Sequence, residues 1–343
     1  MSLDATALRG VARSPGWCYN VIVHIHQFRL PQLSFALRAL ITKGLGVFWI
    51  LDGLLQLQPA MFGPAIITDV FAPNLDGQPA FIQAVIHGGL QLFQSNIVIA
   101  NVLATVIQLA IGVLLLFPAT GKAARTGLWL SIAWGLIVWI FGEGIGNLLT
   151  GSASFYTGAP GAVLIYVLAA ALLLLPNMPA DRLPRAAGLL LLFGAALQSQ
   201  PVFWTPDGIS SLFSGASSDS LSQIRVPATV LSALLASSPL VTNTLLMLLF
   251  AVPGIILLWR PSPPLAGITV LLLALIWLFP QDAGGFSTLP TGTTTDPNAA
   301  PVVALLLVPA LLQHKAVSRW PFIVVKRHSP CASRRSHRQL VSA

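Results

Sequence analysis

Long apolar runs dominate the chain, separated by prolines, basic clusters and short polar turns. Eight runs stand out: 40–58, 97–117, 124–141, 160–175, 186–200, 239–259, 264–279 and 298–313. Pro59, Pro118, Pro176, Pro201 and Pro280 close five of them, as expected where the chain meets a residue without a backbone N–H. A helix of about 20 apolar residues crosses a bilayer because its peptide groups satisfy one another away from water. The pattern therefore predicts an all-α membrane protein with about eight transmembrane helices. Three runs are short for a crossing and are expected to extend into their flanks or to sit where the bilayer thins.

One segment has a different rhythm. In 79–96, PAFIQAVIHGGLQLFQSN, the polar residues Gln83, His87, Gln91 and Gln94 recur at steps of four, four and three. Ile82, Val85, Ile86, Leu90 and Phe93 fill the remainder. This predicts an amphipathic helix, lying on the outer membrane surface or folded back over the bundle.

The runs also repeat. WILDGLLQLQP at 49–59 matches LLFGAALQSQP at 191–201, an offset of 142 that also aligns Asn101 with Asn243 and Gly112 with Gly254. The offset then becomes 138, aligning Trp139 with Trp277, Phe141 with Phe279, Gly146 with Gly284 and Thr150 with Thr288. An ordered series at a nearly constant offset points to duplication. The predicted organisation is a cytoplasmic segment 1–39, a four-helix unit 40–176, a second unit 186–313, and a basic cytoplasmic tail 314–343. Four crossings return the chain to its starting side, so the copies would be tandem parallel repeats, related by an axis along the membrane normal. They are not chemically equal. Asp52, His87, Gln108 and Glu143 face Gly194, Thr229, Phe250 and Gln281 in the second copy. A single reactive or binding centre would thus lie mainly in the first.

Composition sharpens the picture. Of 343 residues, 55% are hydrophobic and only 8% charged, against about 25% charged in soluble domains. The net charge of +8 is too thinly spread for a nucleic-acid face. Sorted by the eight-run scheme, 17 of the 18 basic residues fall at the N-terminus, the C-terminus and the loops after the second, fourth and sixth runs, with Arg225 the exception. Seven of the ten acidic residues fall on the opposite side. The positive-inside bias then places both termini in the cytoplasm of a multi-pass plasma-membrane protein. Cys18 and Cys331 would share that reducing side, and residues 1–36 lack the pattern of a cleaved signal peptide.

Five polar residues are candidate functional groups. Asp52 interrupts an apolar run, where a carboxylate must be protonated, paired or wet; it could hold a proton, a cation or a quinol hydroxyl, or simply bond to a neighbouring helix. Gln56 is one turn on, on the same face. Glu143 ends the third run between glycines 142, 144 and 146, a turn that could face an external cavity. Trp134 and Trp139 nearby suit an interfacial belt. His87 would meet these groups if its helix folds back, and its near-neutral pKa suits proton exchange. Asn101 and Gln108 share a face of the second run, where amides bond across helices. The outer loops 205–222 and 284–298 offer no obvious site. Cys18, His24 and His26 lack zinc-site spacing and a fourth ligand, so no metal is expected. Phosphate-loop, dinucleotide, haem-attachment, zincin and nucleophile-elbow motifs do not occur.

The stretch Val106–Gly127, VIQLAIGVLLLFPATGKAARTG, with GVFWILDGLLQLQP at 46–59 before it, resembles the DoxX-like membrane family. In that family the second span usually carries a glutamate, followed by Gly-rich apolar sequence and a short basic turn; Gln108 stands where the glutamate is expected. The resemblance covers most of 40–176 and, more faintly, 186–313. It implies a membrane subunit linked to thiosulfate:quinone or thiol redox systems, working with a quinone or a redox partner subunit, since no other cofactor is evident. Three readings stay open: a quinone-associated accessory subunit, a proton-coupled small-solute transporter using Asp52, and a structural membrane protein without chemistry of its own.

Overall fold

The structure, a computed structural model, describes residues 32–214, 222–289 and 291–312, together with the backbone of 9–14 and 17–22. The tail 314–343, His24, His26 and the side chain of Cys18 lie outside the described residues. The segments Arg9–Ser14 (β1) and Trp17–Ile22 (β2) pair as an antiparallel hairpin.

Residues Pro31–His314 form one compact unit of eleven described α-helices. They are α1 Phe35–Leu55, α2 Ala80–Ser95, α3 Ile97–Leu116, α4 Gly121–Phe141, α5 Ala162–Leu174, α6 Arg182–Leu197, α7 Pro206–Ser211, α8 Ser222–Ala236, α9 Pro239–Trp259, α10 Pro263–Leu278 and α11 Ala299–Leu312. Every predicted run coincides with a helix, but length separates them. Among the described residues α3, α4 and α9 are long and apolar enough to cross a membrane, and α10 joins them if counted with the turn 282–288, bent from it by 43°. Helices α5, α6, α10 and α11 have only 13, 16, 16 and 14 residues. At 1.5 Å per residue these reach about 20–24 Å, short of the ~30 Å hydrocarbon core. Helix α1 is long enough but carries Arg38, Lys43 and Asp52. Helix length and composition thus support three or four crossings, where the apolar runs suggested eight.

The exterior of the bundle explains why so few residues are charged. Val98, Ile99, Val102, Leu103, Val106 and Val113 of α3 are all exposed, as are Leu240, Val241, Leu245, Leu248 and Leu249 of α9. Such a surface is untenable in water and is what lipid contact requires, consistent with a multi-pass membrane protein. The most deeply buried helix is α11, where Ala299, Ala300, Val302, Val303, Leu306 and Leu307 have no exposed surface. Trp49 anchors the core on the other side, its indole N–H donating to Ser131 Oγ at 2.8 Å.

Small residues set the helix crossings. Helices α1 and α3 meet at Gly46 and Gly112, where a Cβ on either would lie within 3.0 Å of the other's carbonyl oxygen; α6 and α9 meet in the same way at Gly188 and Gly254. Without side chains in the way the backbones approach closely, a common device between membrane helices.

The connections after α4 and α10 share a further feature. Gly144, Ile145, Gly146 and Asn147 all have positive φ, and so do Asp282, Ala283, Gly284 and Gly285. Each set forms a left-handed turn, which costs roughly 1–2 kcal/mol for every residue bearing a Cβ. The turns fold the following chain back against the helix just left. Trp139 Nε1 donates to Pro160 O at 2.7 Å, and Trp277 Nε1 to Pro297 O at 2.8 Å. Trp139 is therefore a half-buried clamp as well as an aromatic at a helix end.

Candidate functional site

Four of the five predicted residues converge. Asp52 lies near the C-terminal end of α1 and is 1% exposed. Its Oδ1 accepts from Tyr166 Oη at 3.2 Å, while Oδ2 is buried without a partner. Tyr166 is held edge-on to Trp49 (centroids 5.1 Å apart) and stacked on Phe48. Gln56 caps α1, and its carbonyl accepts from Asn101 Nδ2 on α3 at 2.9 Å. Gln108, eleven residues into α3, is 4% exposed with an unpartnered Oε1.

Glu143 stands immediately before the first left-handed turn. That turn brings the start of α5 beside it, so Val163 N–H donates to Glu143 Oε1 at 3.1 Å, while Oε2 is buried and unpartnered. Burial pushes the Glu143 carboxyl well above the usual range, and the neighbouring charge of Asp296 pushes it the same way.

Asp296 is the residue the sequence did not single out. The loop 284–298 offers no obvious site in the sequence, yet it dips beside α1: Gln58 Nε2 donates to Thr294 O at 2.7 Å and to Leu55 O at 2.8 Å. Asp296 comes close enough for its charge to act on both Asp52 and Glu143. Its Oδ1 accepts from Asn298 N at 2.7 Å and its Oδ2 from Thr295 Oγ1 at 2.9 Å. Burial raises its pKa, against the lowering effect of those two bonds. One signal was available in the sequence: Asp296 is the only charged residue between 283 and 312.

His87 is not part of this group. It is exposed, as are Gln91 and Gln94, while Ile82, Ile86 and Leu90 form the buried face of α2. The amphipathic helix is present, but its polar stripe faces away from the carboxyl groups, because the apolar stripe is what packs inward.

Between these residues lies a chamber of about 540 Å³, lined by Asp52, Gln56, Gln108, Glu143 and Asp296 at its polar side. Phe93, Phe141 and Trp134 contribute aromatic wall, so Trp134 faces the chamber. Leu92, Ile99 and Leu103 also line it and are exposed, so the chamber opens sideways onto the apolar surface. A second cavity of about 670 Å³ adjoins it, sharing Glu143 and Asp296, and is lined by Asp69, Asp76, Asn147 and several threonines. Among the described residues no lysine, arginine or histidine lines either space.

Beside α6 and α9 the interior is filled. Phe155 packs edge-on to Phe250 at 5.2 Å, and Tyr156 lies against the same ring at 4.6 Å. Phe155 Cβ sits over Gly194. Ser154 Oγ donates to Gln198 Oε1, Tyr156 Oη to Leu246 O, and Asn243 Nδ2 to Gln198 O. Gln281 uses both ends of its amide, accepting from Ala300 N at 3.1 Å and donating to Phe155 O at 2.9 Å.

Among the described residues no group of three His, Cys, Asp or Glu side chains is placed to hold a metal ion. No protein-family model matches this chain, and neither a characterised protein nor a solved structure matches it.

Proposed function

We propose that this chain is a multi-pass membrane protein of two tandem four-helix units, crossing the membrane eight times with both termini in the cytoplasm. In this reading its first half binds a small, largely apolar molecule in the chamber beside Asp52. One observation carries the binding reading. Asp52 Oδ2 and Gln108 Oε1 are deeply buried, have no protein partner, and line the same ligand-sized chamber. Each orphaned buried polar atom costs about 1–3 kcal/mol, and a ligand in the chamber would supply the partner that these two lack.

Duplication is supported by geometry at matched positions. The Asn101–Gln56 bond recurs as Asn243–Gln198, the Trp139–Pro160 bond as Trp277–Pro297, and the Glu143–Val163 contact as Gln281–Ala300. The left-handed turns recur at an offset of 138. Short helices are compatible with eight crossings because irregular backbone is tolerated at membrane depth where protein buries it. Labelling single cysteines introduced at Asp69, Arg182 and Asp207 in intact cells tests the count. Asp69 and Asp207 on one face and Arg182 on the other is expected; all three on one face would overturn it.

The DoxX-like resemblance makes a quinol the first ligand to try, as part of a quinone-linked accessory subunit working with a redox partner. The sideways opening suits a molecule arriving from lipid. Quinone co-purifying with the wild-type protein and lost from Asp52→Ala and Gln108→Ala is the expected result. Equal quinone in all three would remove the chamber from the account. Transport is the second reading, favoured by the outer cavity that joins the chamber at Glu143 and Asp296. Proteoliposome uptake that is indifferent to a pH gradient and to Asp52→Asn would exclude proton coupling through Asp52.

A further inference from the structure

The atoms left unsatisfied around the chamber are mostly acceptors. Asp52 Oδ2, Gln108 Oε1 and Glu143 Oε2 are buried without partners, against a single donor, Trp134 Nε1. Three carboxyl groups, Asp52, Glu143 and Asp296, border the space, and among the described residues no basic side chain lines it. Burial favours the protonated form of Glu143 and Asp296 in the empty chamber; a cation carrying several N–H donors would displace those protons and partner all three acceptors. An ammonium group is such a cation, with three donors and no acceptor.

We propose that the polar end of the chamber is a binding site for a protonated primary amine with an apolar body. The inference rests on the reading of the chamber as a ligand site and names the class of ligand. The ammonium sits among Asp52, Gln108, Glu143 and Asp296. The body lies along Phe93, Phe141 and Trp134, whose ring faces attract cations as well as apolar groups. The volume of about 540 Å³ is within the usual range for small-molecule sites. Asp69 and Asp76 in the outer cavity raise the local concentration of cations at the entrance. The same amine chemistry could arrive free or on a lipid headgroup. The free amine is favoured, because a headgroup would bring its phosphate among three carboxyl groups.

The test uses the full-length protein in phosphatidylcholine nanodiscs, with tritiated 2-phenylethylamine, its neutral isostere 2-phenylethanol, and decylubiquinol as probes. The amine is expected to bind at least ten-fold more tightly than the alcohol. Asp52→Asn, Asp296→Asn and Glu143→Gln should each weaken amine binding at least ten-fold and move alcohol binding less than two-fold. Nanodiscs containing phosphatidylethanolamine should leave amine affinity unchanged; competition by that lipid would overturn the free-amine assignment. Equal binding of amine and alcohol, or binding of the quinol alone, would overturn the ammonium site while leaving the chamber as a ligand site. Binding of none of the three probes would sink both. Size-exclusion profiles and melting curves verify folding, and any one of the three carboxamide variants that folds decides the outcome.

Discussion

Replacing Glu143 by Gln is the perturbation with the most direct physical readout, because on the duplicated reading the protein already contains the comparison. At the matching position Gln281 accepts from Ala300 N at 3.1 Å, as Glu143 accepts from Val163 N at 3.1 Å. An amide at 143 keeps that bond and discards a carboxylate whose Oε2 has no partner. The Glu143 pKa is raised by burial and then by Asp296, so the folded state holds a proton that the unfolded chain has given up. Between the ordinary carboxyl value near ~4.3 and the raised one, the folded state binds more protons, and stability falls as pH rises. Its contribution is complete below the unfolded value and is lost by the time pH has passed the folded value. Each pH unit of that window is worth about 1.4 kcal/mol, or about 3–5 °C in melting temperature by the scaling for large domains. Glu143→Gln should therefore melt with the wild type near pH 4 and increasingly above it as pH rises, levelling off once the raised pKa is passed. Tryptophan fluorescence melts of purified protein between pH 4 and 8.5 measure the difference. A variant less stable by the same amount at every pH would refute the reasoning, since it would mean that the carboxylate is satisfied where it lies.

Gly161→Ala should destabilise by about 2 kcal/mol or more, seen as a lower melting temperature: φ is +103° there, and a Cβ would collide with Glu143 Oε2. Trp49→Phe and Ser131→Ala should each cost about 1–2 kcal/mol, since each strands one partner of the 2.8 Å core bond; the double variant should cost less than the sum in a double-mutant cycle. Phe155→Ala should cost about 3–5 kcal/mol, because the ring is fully buried against Phe250 and Gly194. Asp296→Ala should stay within about 1 kcal/mol of wild type, the lost cap on Asn298 being offset by removal of a buried like charge. Denaturation curves showing equal losses for these last two would contradict one filled and one open crevice.

Helix positions were legible because the bilayer punishes polar backbone and charge so heavily. Runs 97–117 and 239–259 became Ile97–Leu116 and Pro239–Trp259, with ends set by Pro118 and by Pro239 and Arg260. The start of α1 was less legible. Arg38 reads as a charge outside a span, yet α1 begins at Phe35, and Arg38 donates to the carbonyls of Leu173 and Leu175 at the end of α5. A cation that satisfies a helix C-terminus lies inside the fold, and hydropathy cannot see that. Asp52, Gln56, Gln108 and Glu143 were recoverable because each is a polar group in an apolar setting. The placing of His87 stayed open, because periodicity fixes which residues share a face and not what that face meets. Asp296 was lost among Thr, Pro and Gly, since its role depends on a fold-back that begins with Asp282–Gly285, a left-handed turn that no sequence pattern announces.

The fold-backs also decide where a site can exist. Gln58 at the end of α1 holds the 291–298 loop through Thr294 O, and Gln200 at the end of α6 holds the earlier loop through Ala153 O. On the duplicated reading, each half thus sends the loop before its last helix onto the other half's helices. What the loop delivers decides the result. Phe155 and Tyr156 arrive over Gly194 and Phe250 and fill their crevice; Thr295 and Asp296 arrive over Asp52 and Gln108 and leave space. Asp52, Gln108 and Glu143 come from the first half, yet the acidic end is completed by Asp296 from the second. On the duplicated reading, the second half is no idle copy, because it supplies a carboxyl group and the loop that roofs the chamber. A lone four-helix unit of this design would have to meet another copy before the equivalent crevice could be completed.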